Sequence, residues 1–366
     1  MAGNARIGDF ASQGLVQFGQ NYLGNPGLGF RSIENEQLGW EKNVQWDAGL
    51  EFGIFNNRIR GTLAYYIKDT KDLLLEVPIP ATNGYLVLSQ NAGEVRNQGF
   101  EFDLSADILT GKFSWSMAVN GATLKNEVRK LTDNNGDGKD DDIYTFNRWL
   151  TRTGESLATF YMPEYAGVDP DNGDALFWDA EREEKVFNLV TDANRRIVGK
   201  ALPDFTGGFT NTFQFRNFDL SVFFLFKTGF QVYRQQAHII EQNMGGGDNQ
   251  ARSQLDSWTP DNRDTDVPEA RLFQSNGDQR WTSRRLSDGD FLRLQNANLG
   301  YTFKGVGARA ANVRVYAAGQ NLLLFTKFPD PDPDVSEIGA NRPEQGSNIG
   351  APPPSRIVTI GANINF

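Results

Sequence analysis

Residues 205–228 read FTGGFTNTFQFRNFDLSVFFLFKT. Phe205, Phe209, Phe213 and Phe215 share one parity, and after Arg216-Asn217 the same happens with Phe218, Leu220, Val222, Phe224 and Phe226. Apolar groups at a period of two, with Thr, Gln, Asp and Ser between them, describe a strand with one greasy and one wet side. Arg216-Asn217 is short enough to be a hairpin turn. The pattern recurs outward from this pair. Trp46, Ala48, Leu50 and Phe52 oppose Asp47, Gly49 and Glu51, while Ile59, Leu63, Tyr65 and Ile67 oppose Arg60, Thr62 and Lys68. Phe100, Phe102 and Leu104 alternate with Glu101, Asp103 and Ser105; Phe113, Trp115, Met117 and Val119 alternate with Ser114, Ser116, Ala118 and Asn120. No long stripe of helical period is present, and Leu255 to Trp258 would make a helical turn at most. The chain reads as all-β.

Connection lengths sharpen this. Short turns fall at Phe55–Arg58, Leu109–Lys112, Arg216-Asn217, Gly305–Ala310 and Asp169–Gly173, and long polar segments at 78–93, 126–150, 182–203, 231–285 and 324–354. Alternating short and long connections are expected of an outer-membrane barrel, with tight turns on the periplasmic side and long loops outside. The expected strands are about eleven: 43–53, 58–69, 94–107, 112–125, 155–168, 174–181, 204–216, 217–230, 286–304, 311–323 and 355–366. An open sheet of that size would leave two unpaired edges in lipid. The expectation is therefore an antiparallel transmembrane β-barrel, the C-terminal half of one with about 22 strands. Residues 1–42 would belong to an extracellular loop and partial strand, and 43–366 to the barrel. The beginning, MAGNARIGDFASQG, has no signal-peptide pattern, so the chain is expected either to be cytoplasmic or to lack its start. In RIVTIGANINF (356–366), Val358, Ile360, Ala362, Ile364 and Phe366 share one face, and a terminal Phe366 suits a barrel-assembly signal.

Composition excludes much chemistry. The 366 residues contain no Cys and one His, His238, which removes thiolate sites, multi-histidine zinc and most nucleophilic triads. A net charge of -10 argues against a nucleic-acid partner. Twenty-seven Phe, 10 Tyr and 7 Trp in a chain only 39% hydrophobic fit a sheet facing lipid on one side and water on the other. The carboxylates Asp47, Glu51, Glu101 and Asp103 fall on the polar side, where a water-filled lumen explains them without acid–base catalysis. Gly24–Gly29 and Gly245–Gly247 lack the spacing or following residues of a nucleotide cradle. No enzyme is expected.

Several strings resemble the SusC/RagA-like TonB-linked outer-membrane proteins: LGWEKNVQWDAGLEFGIFNNRI (38–59), NAGEVRNQGFEFDL (91–104), VGKALPDFTGGFTNTFQFRNFDLSVFF (198–224), FLRLQNANLGYTF (291–303), NLLLFTKFPDPDPDVS (321–336) and the PSRIVTIGANINF ending. They occur in the family's order along nearly the whole chain. The family's signal, TonB box, plug and first barrel half are not matched. The resemblance implies TonB-dependent uptake of oligosaccharides or peptides across the outer membrane, with a SusD-like lipoprotein as lid, the TonB system as motor, outer-membrane lipids around the wall and no cofactor. The rival expectations are a non-transporting surface scaffold or remnant, and a passive porin.

Candidate site residues are few. Asp133, Asn135, Asp137 and Asp141, with Gly138, have the spacing of a calcium loop, but Tyr144 stands where its bidentate Glu belongs. A structural Ca2+ and a plain turn-rich hairpin tip are both compatible with that spacing. Tyr233, Trp258 and Trp281, with Phe273, lie in or beside the 231–285 loop, where they could stack on sugar rings or simply pack. His238 is expected to be solvated. Phe328-Pro329-Asp330-Pro331-Asp332-Pro333-Asp334 is expected to be a rigid extended loop, with contact to substrate or lid as the alternative.

Overall fold

The computed structural model describes residues 10, 12–21, 23–80, 82, 84–85, 87–179, 181–183, 185–187, 194–242, 247–273, 277, 281–306, 311–334 and 344–365. Nine long antiparallel strands form its main sheet: β1 (Lys42–Ile54), β2 (Ile59–Pro78), β3 (Val87–Leu109), β4 (Phe113–Thr123), β5 (Phe205–Phe215), β6 (Phe218–Thr228), β7 (Phe291–Val306), β8 (Ala311–Thr326) and β9 (Ile357–Asn365). They are ordered as in the sequence, each paired with the next, and Lys125–Leu131 continues β4 along β3. The described edges of the sheet are β1 and β9.

Directly paired residues lie on the same face of an antiparallel sheet, so the register assigns every side chain to one of two surfaces. One transverse row runs Leu50, Leu63, Phe102, Gly121, Gly207, Phe226, Leu292, Phe325. The next runs Glu51, Thr62, Asp103, Asn120, Gly208, Leu225, Arg293, Leu324. A one-residue step thus converts a largely apolar row into one rich in polar groups. On the apolar face large side chains stand exposed: Trp46 at 74%, Leu50 at 61% and Ile360 at 80%. Rings tile it across strands, with centroids 4.8 Å apart for Tyr65 and Phe100, 4.9 Å for Phe209 and Phe224, and 4.6 Å for Phe218 and Tyr301. Each such pair is worth about 0.5–1.5 kcal/mol beyond burial.

The short connections between wall strands lie at one end of the sheet and the long ones at the other. Two expected wall strands, 155–168 and 174–181, are not in the wall. They break into Thr159–Pro163, Tyr165–Val168 and Ala175–Trp178, which belong to small sheets within a single connection from β4 to β5. The Asp169–Gly173 turn lies in that connection as well. The physical reason is in the burial: Phe160, Met162 and Phe177 are enclosed, whereas wall strands leave their apolar side bare. The wall therefore has nine strands among the described residues, not eleven.

At 20 and 23 residues, β2 and β3 far exceed the ~9–11 of a tilted crossing. Their distal halves form a ribbon that buries Leu73, Leu75, Val77, Ala92 and Val95 against Val128, Leu131, Ile143 and Leu157. Near the N-terminus Val16–Phe18 pairs with Leu28–Phe30. Phe366 lies outside the described residues, but Val358, Ile360, Ala362 and Ile364 occupy one face of β9.

Candidate functional site

Two surfaces are candidates: the polar inner face of the wall and the loop cluster at its long-connection end. On the inner face, Arg314 of β8 donates to Asp219 of β6 (Nε to Oδ1, 3.0 Å) and to Asn298 of β7 (Nη2 to Oδ1, 2.6 Å). This bond set passes over Gly300, where an added Cβ would lie 2.4 Å from Arg314 Nη2. Nearer the short turns, Glu51, Thr62, Asp103, Ser105, Arg60 and Asn57 line a cavity of about 530 Å³. Asp47, Glu51, Glu101 and Asp103 thus lie on the inner face as the alternation requires, each directly beside a Tyr, Thr, Ala or Asn on a neighbouring strand.

The loop cluster is built from three small sheets. One joins Ile143–Thr145, Trp149–Thr151, Thr159–Pro163 and Arg195–Lys200; one joins Tyr165–Val168, Ala175–Trp178 and Lys185–Phe187. The third places Gln231–Arg234 between Leu286–Asp288 and Ser347–Asn348. At the centre sits Arg148, which sequence reasoning missed. Its guanidinium lies 4.3 Å from the ring centroids of both Trp149 and Trp281, and it donates to Gln235 Oε1 (2.6 Å) and Ser347 Oγ (3.1 Å). Four chain segments meet there. A second cavity of about 530 Å³, lined by Glu164, Arg182, Arg196, Gln231, Ser283 and Asp288 among others, opens beside it.

The sequence candidates are placed as follows. Tyr233 is completely buried and Trp258 is 5% exposed, so neither ring offers a face to a ligand; both pack the cluster. Trp281 is half-buried, enclosed by Arg148, Tyr233 and His238. Phe273 alone of these aromatics is well exposed. His238 is not solvated as expected: it lies in a short helix (Gln235–Ile240), and its ring stacks on Trp281 with centroids 3.8 Å apart.

The four residues of the candidate calcium loop are close in space; Asn135 Nδ2 donates to Asp141 Oδ1 (2.7 Å), and oxygens of all four accept from backbone amides. Asp133 accepts from the amides of Gly136 (2.6 Å) and Gly138 (2.8 Å), Asn135 from Asp137 (2.8 Å), Asp137 from Lys139 (2.9 Å) and Asp141 from Asn134 (2.7 Å). Among the described residues no three His, Asp or Glu side chains converge to hold a metal. These bonds, from each short Asx side chain to an amide two to seven residues away, shape a turn-rich tip, and both readings of the motif, plain hairpin tip and structural Ca2+ loop, share that shape.

The Asp-Pro run is more informative. Asp330, Asp332 and Asp334 each meet a base: Arg234 (2.9 and 3.0 Å), Arg293 (2.6 Å) and Lys227 (2.5 Å). The signal in the sequence was Arg293 itself, a charge between Leu292 and Leu294 in an otherwise apolar strand entry.

A one-sided antiparallel sheet with bare aromatics outside, a polar interior, tight turns at one end and a folded loop cluster at the other defines the wall of a membrane-spanning β-barrel. The model of the TonB dependent receptor-like, beta-barrel family matches residues 8–322, and the chain belongs to that family of outer-membrane proteins. It is 32% identical to TonB-dependent receptor P3 of Formosa agariphila over 93% of this chain and 36% of that one. It is 30% identical to TonB-dependent receptor SusC of Bacteroides thetaiotaomicron over 91% of this chain and 32% of that one. Among solved structures, the RagAB peptide transporter superposes with a TM-score of 0.82 at 27% identity, covering 99% of this chain and 40% of that chain. The chain thus spans well under half the length of these relatives.

Proposed function

We propose that this chain supplies the C-terminal wall and extracellular loops of a TonB-dependent importer that carries oligosaccharides or peptides across the outer membrane. The observation that carries the reading is the register: one face of the nine strands is apolar and bare and the other is rich in polar groups, as suits a sheet between lipid and an aqueous lumen. Its two edges require further strands for closure, because unpaired N–H and C=O groups have no partner in lipid. A barrel of the size these proteins build is too wide to be left open and needs a stopper that an energised partner displaces. The lumen rows are rich in Thr, Ser, Asn, Asp and Glu, which suit a hydrated polymer with many hydroxyl or amide groups. The RagAB title names a peptide transporter, which supports a peptide cargo, and a SusD-like lipoprotein is the partner expected over the loop cluster.

The test is purification from outer membranes under mild detergent, followed by uptake measurements with labelled oligosaccharides and peptides. Co-purification of a SusD-like lipoprotein and uptake abolished by a protonophore are expected. Uptake that persists in de-energised cells would indicate a passive pore. A folded protein that arrives without such a lipoprotein and takes up neither cargo would indicate a scaffold.

A further inference from the structure

The segment Phe328 to Asp334 links the wall and the loop cluster. Prolines at 329, 331 and 333 fix φ and remove three amide donors, so its attachment falls to side chains. Asp334 pairs with Lys227 of β6 and Asp332 with Arg293 of β7. Both bases stand on the inner face at the long-connection rim: Lys227 is paired with Phe291 in the register, and Arg293 with Leu225 and Leu324. Asp330 takes the opposite direction, making a two-pronged contact with Arg234 of the small sheet, which also binds Glu241 in the same connection. Phe328 is buried with Phe230, Val232 and Phe291, sealing the joint with a small apolar core. The Arg293–Asp332 pair is the most enclosed of these contacts, its side chains only 5% and 4% exposed. Asp334 N–H donates to Asp332 Oδ1 at 2.9 Å, which sets that carboxylate's orientation.

Two carboxylates therefore hold wall strands and a third holds the cluster, on one run of seven residues that is not extended as expected but bends at 329–331 and turns at 333–334. We propose that Asp330, Asp332 and Asp334 form the positioning joint that sets the loop cluster against the inner rim of the wall, with Arg293–Asp332 as its central contact. A buried pair of this kind suits such a role: losing one partner leaves the other charge enclosed and uncompensated, so the contact is close to all-or-none. The joint rests on the barrel architecture and not on the import reading.

The chain has no cysteine, so two introduced thiols can be labelled cleanly. Spin labels at Asn56→Cys, in the exposed β1–β2 turn, and Arg263→Cys, on the exposed surface of the cluster, report wall-to-cluster distance by pulsed electron paramagnetic resonance in outer-membrane vesicles. The parent should give one narrow distribution. Asp332→Asn and Arg293→Met should each shift or broaden it, and the double variant should do no more than either single, because both remove the same contact. Asp219→Asn, which breaks a pair lying wholly within the wall, should leave the distribution unchanged. Unchanged distances in both singles, additive effects in the double, or an equal shift from Asp219→Asn would each overturn the joint. So would loss of the heat-modifiable folded band in both singles, since the pair would then be a wall-stability element. Normal distances in a protein that takes up no cargo would count against import and leave the joint standing.

Discussion

At Gly121 the apolar face of the wall narrows to a hydrogen atom. A Cβ there would lie 2.7 Å from Phe102 and 2.9 Å from Phe205, so the rings of two neighbouring strands cover this glycine. Gly121→Leu should push both rings out of their packing, costing about 1–3 kcal/mol by overpacking. A lower midpoint of urea unfolding, read from the heat-modifiable band, would show it; an unchanged midpoint would mean that the rings move freely. Asp140 offers a pH-dependent contact outside the membrane. Its Oδ2 accepts from the Thr153 hydroxyl (2.7 Å) and the Leu131 amide (3.0 Å), and the Thr153 bond foremost holds the carboxyl below the usual range. A depressed folded pKa means that this stabilisation is complete above the ordinary carboxylate value and disappears as pH falls through the folded one. Protection of the Leu131 amide from hydrogen exchange, relative to its intrinsic rate, should therefore fall only under acid conditions, and Asp140→Asn should flatten that dependence.

Among the elements, the loop cluster depends most on one side chain. Arg148 lies between two indoles and bonds two side chains from distant segments, so Arg148→Met keeps bulk while removing cation–π contacts and hydrogen bonds. The combined loss is about 2–4 kcal/mol. Faster tryptic cleavage at the exposed Arg252 and Arg263, with the wall still folded, is the expected signature. Chelation separates the two readings of the 133–142 tip. If backbone amides alone hold its aspartates, EDTA should leave cleavage at Lys139 unchanged, whereas chelator-dependent cleavage would show a bound cation.

For the whole molecule, the distinction between two adjacent residues is decisive. Leu63 faces outward and Thr62 inward on the same strand, so Leu63→Lys places a charge in hydrocarbon and Thr62→Lys places one in water. The first should cost about 2–4 kcal/mol near the bilayer midplane, and the second little. Comparing the amounts of folded protein in outer membranes for the two variants tests the inside–outside assignment. Similar tolerance of both lysines would contradict it.

The alternation of Phe, Leu and Trp with Ser, Thr and Asp was enough to specify strands, the all-β class and the membrane-facing side, since a period of two is a local property of the backbone. The alternation of short and long connections likewise anticipated that tight turns gather at one end of the sheet and long connections at the other. Strand membership in the 155–181 region was not legible: an amphipathic run looks alike whether its apolar side meets lipid or folds back on Trp149 and Phe160. Burial of Tyr233 and Trp258, the pairing of three aspartates with Lys227, Arg234 and Arg293, and the central place of Arg148 were likewise settled only in three dimensions. Each depends on residues tens to hundreds of positions apart, and no local period records which distant charge or ring will arrive beside them.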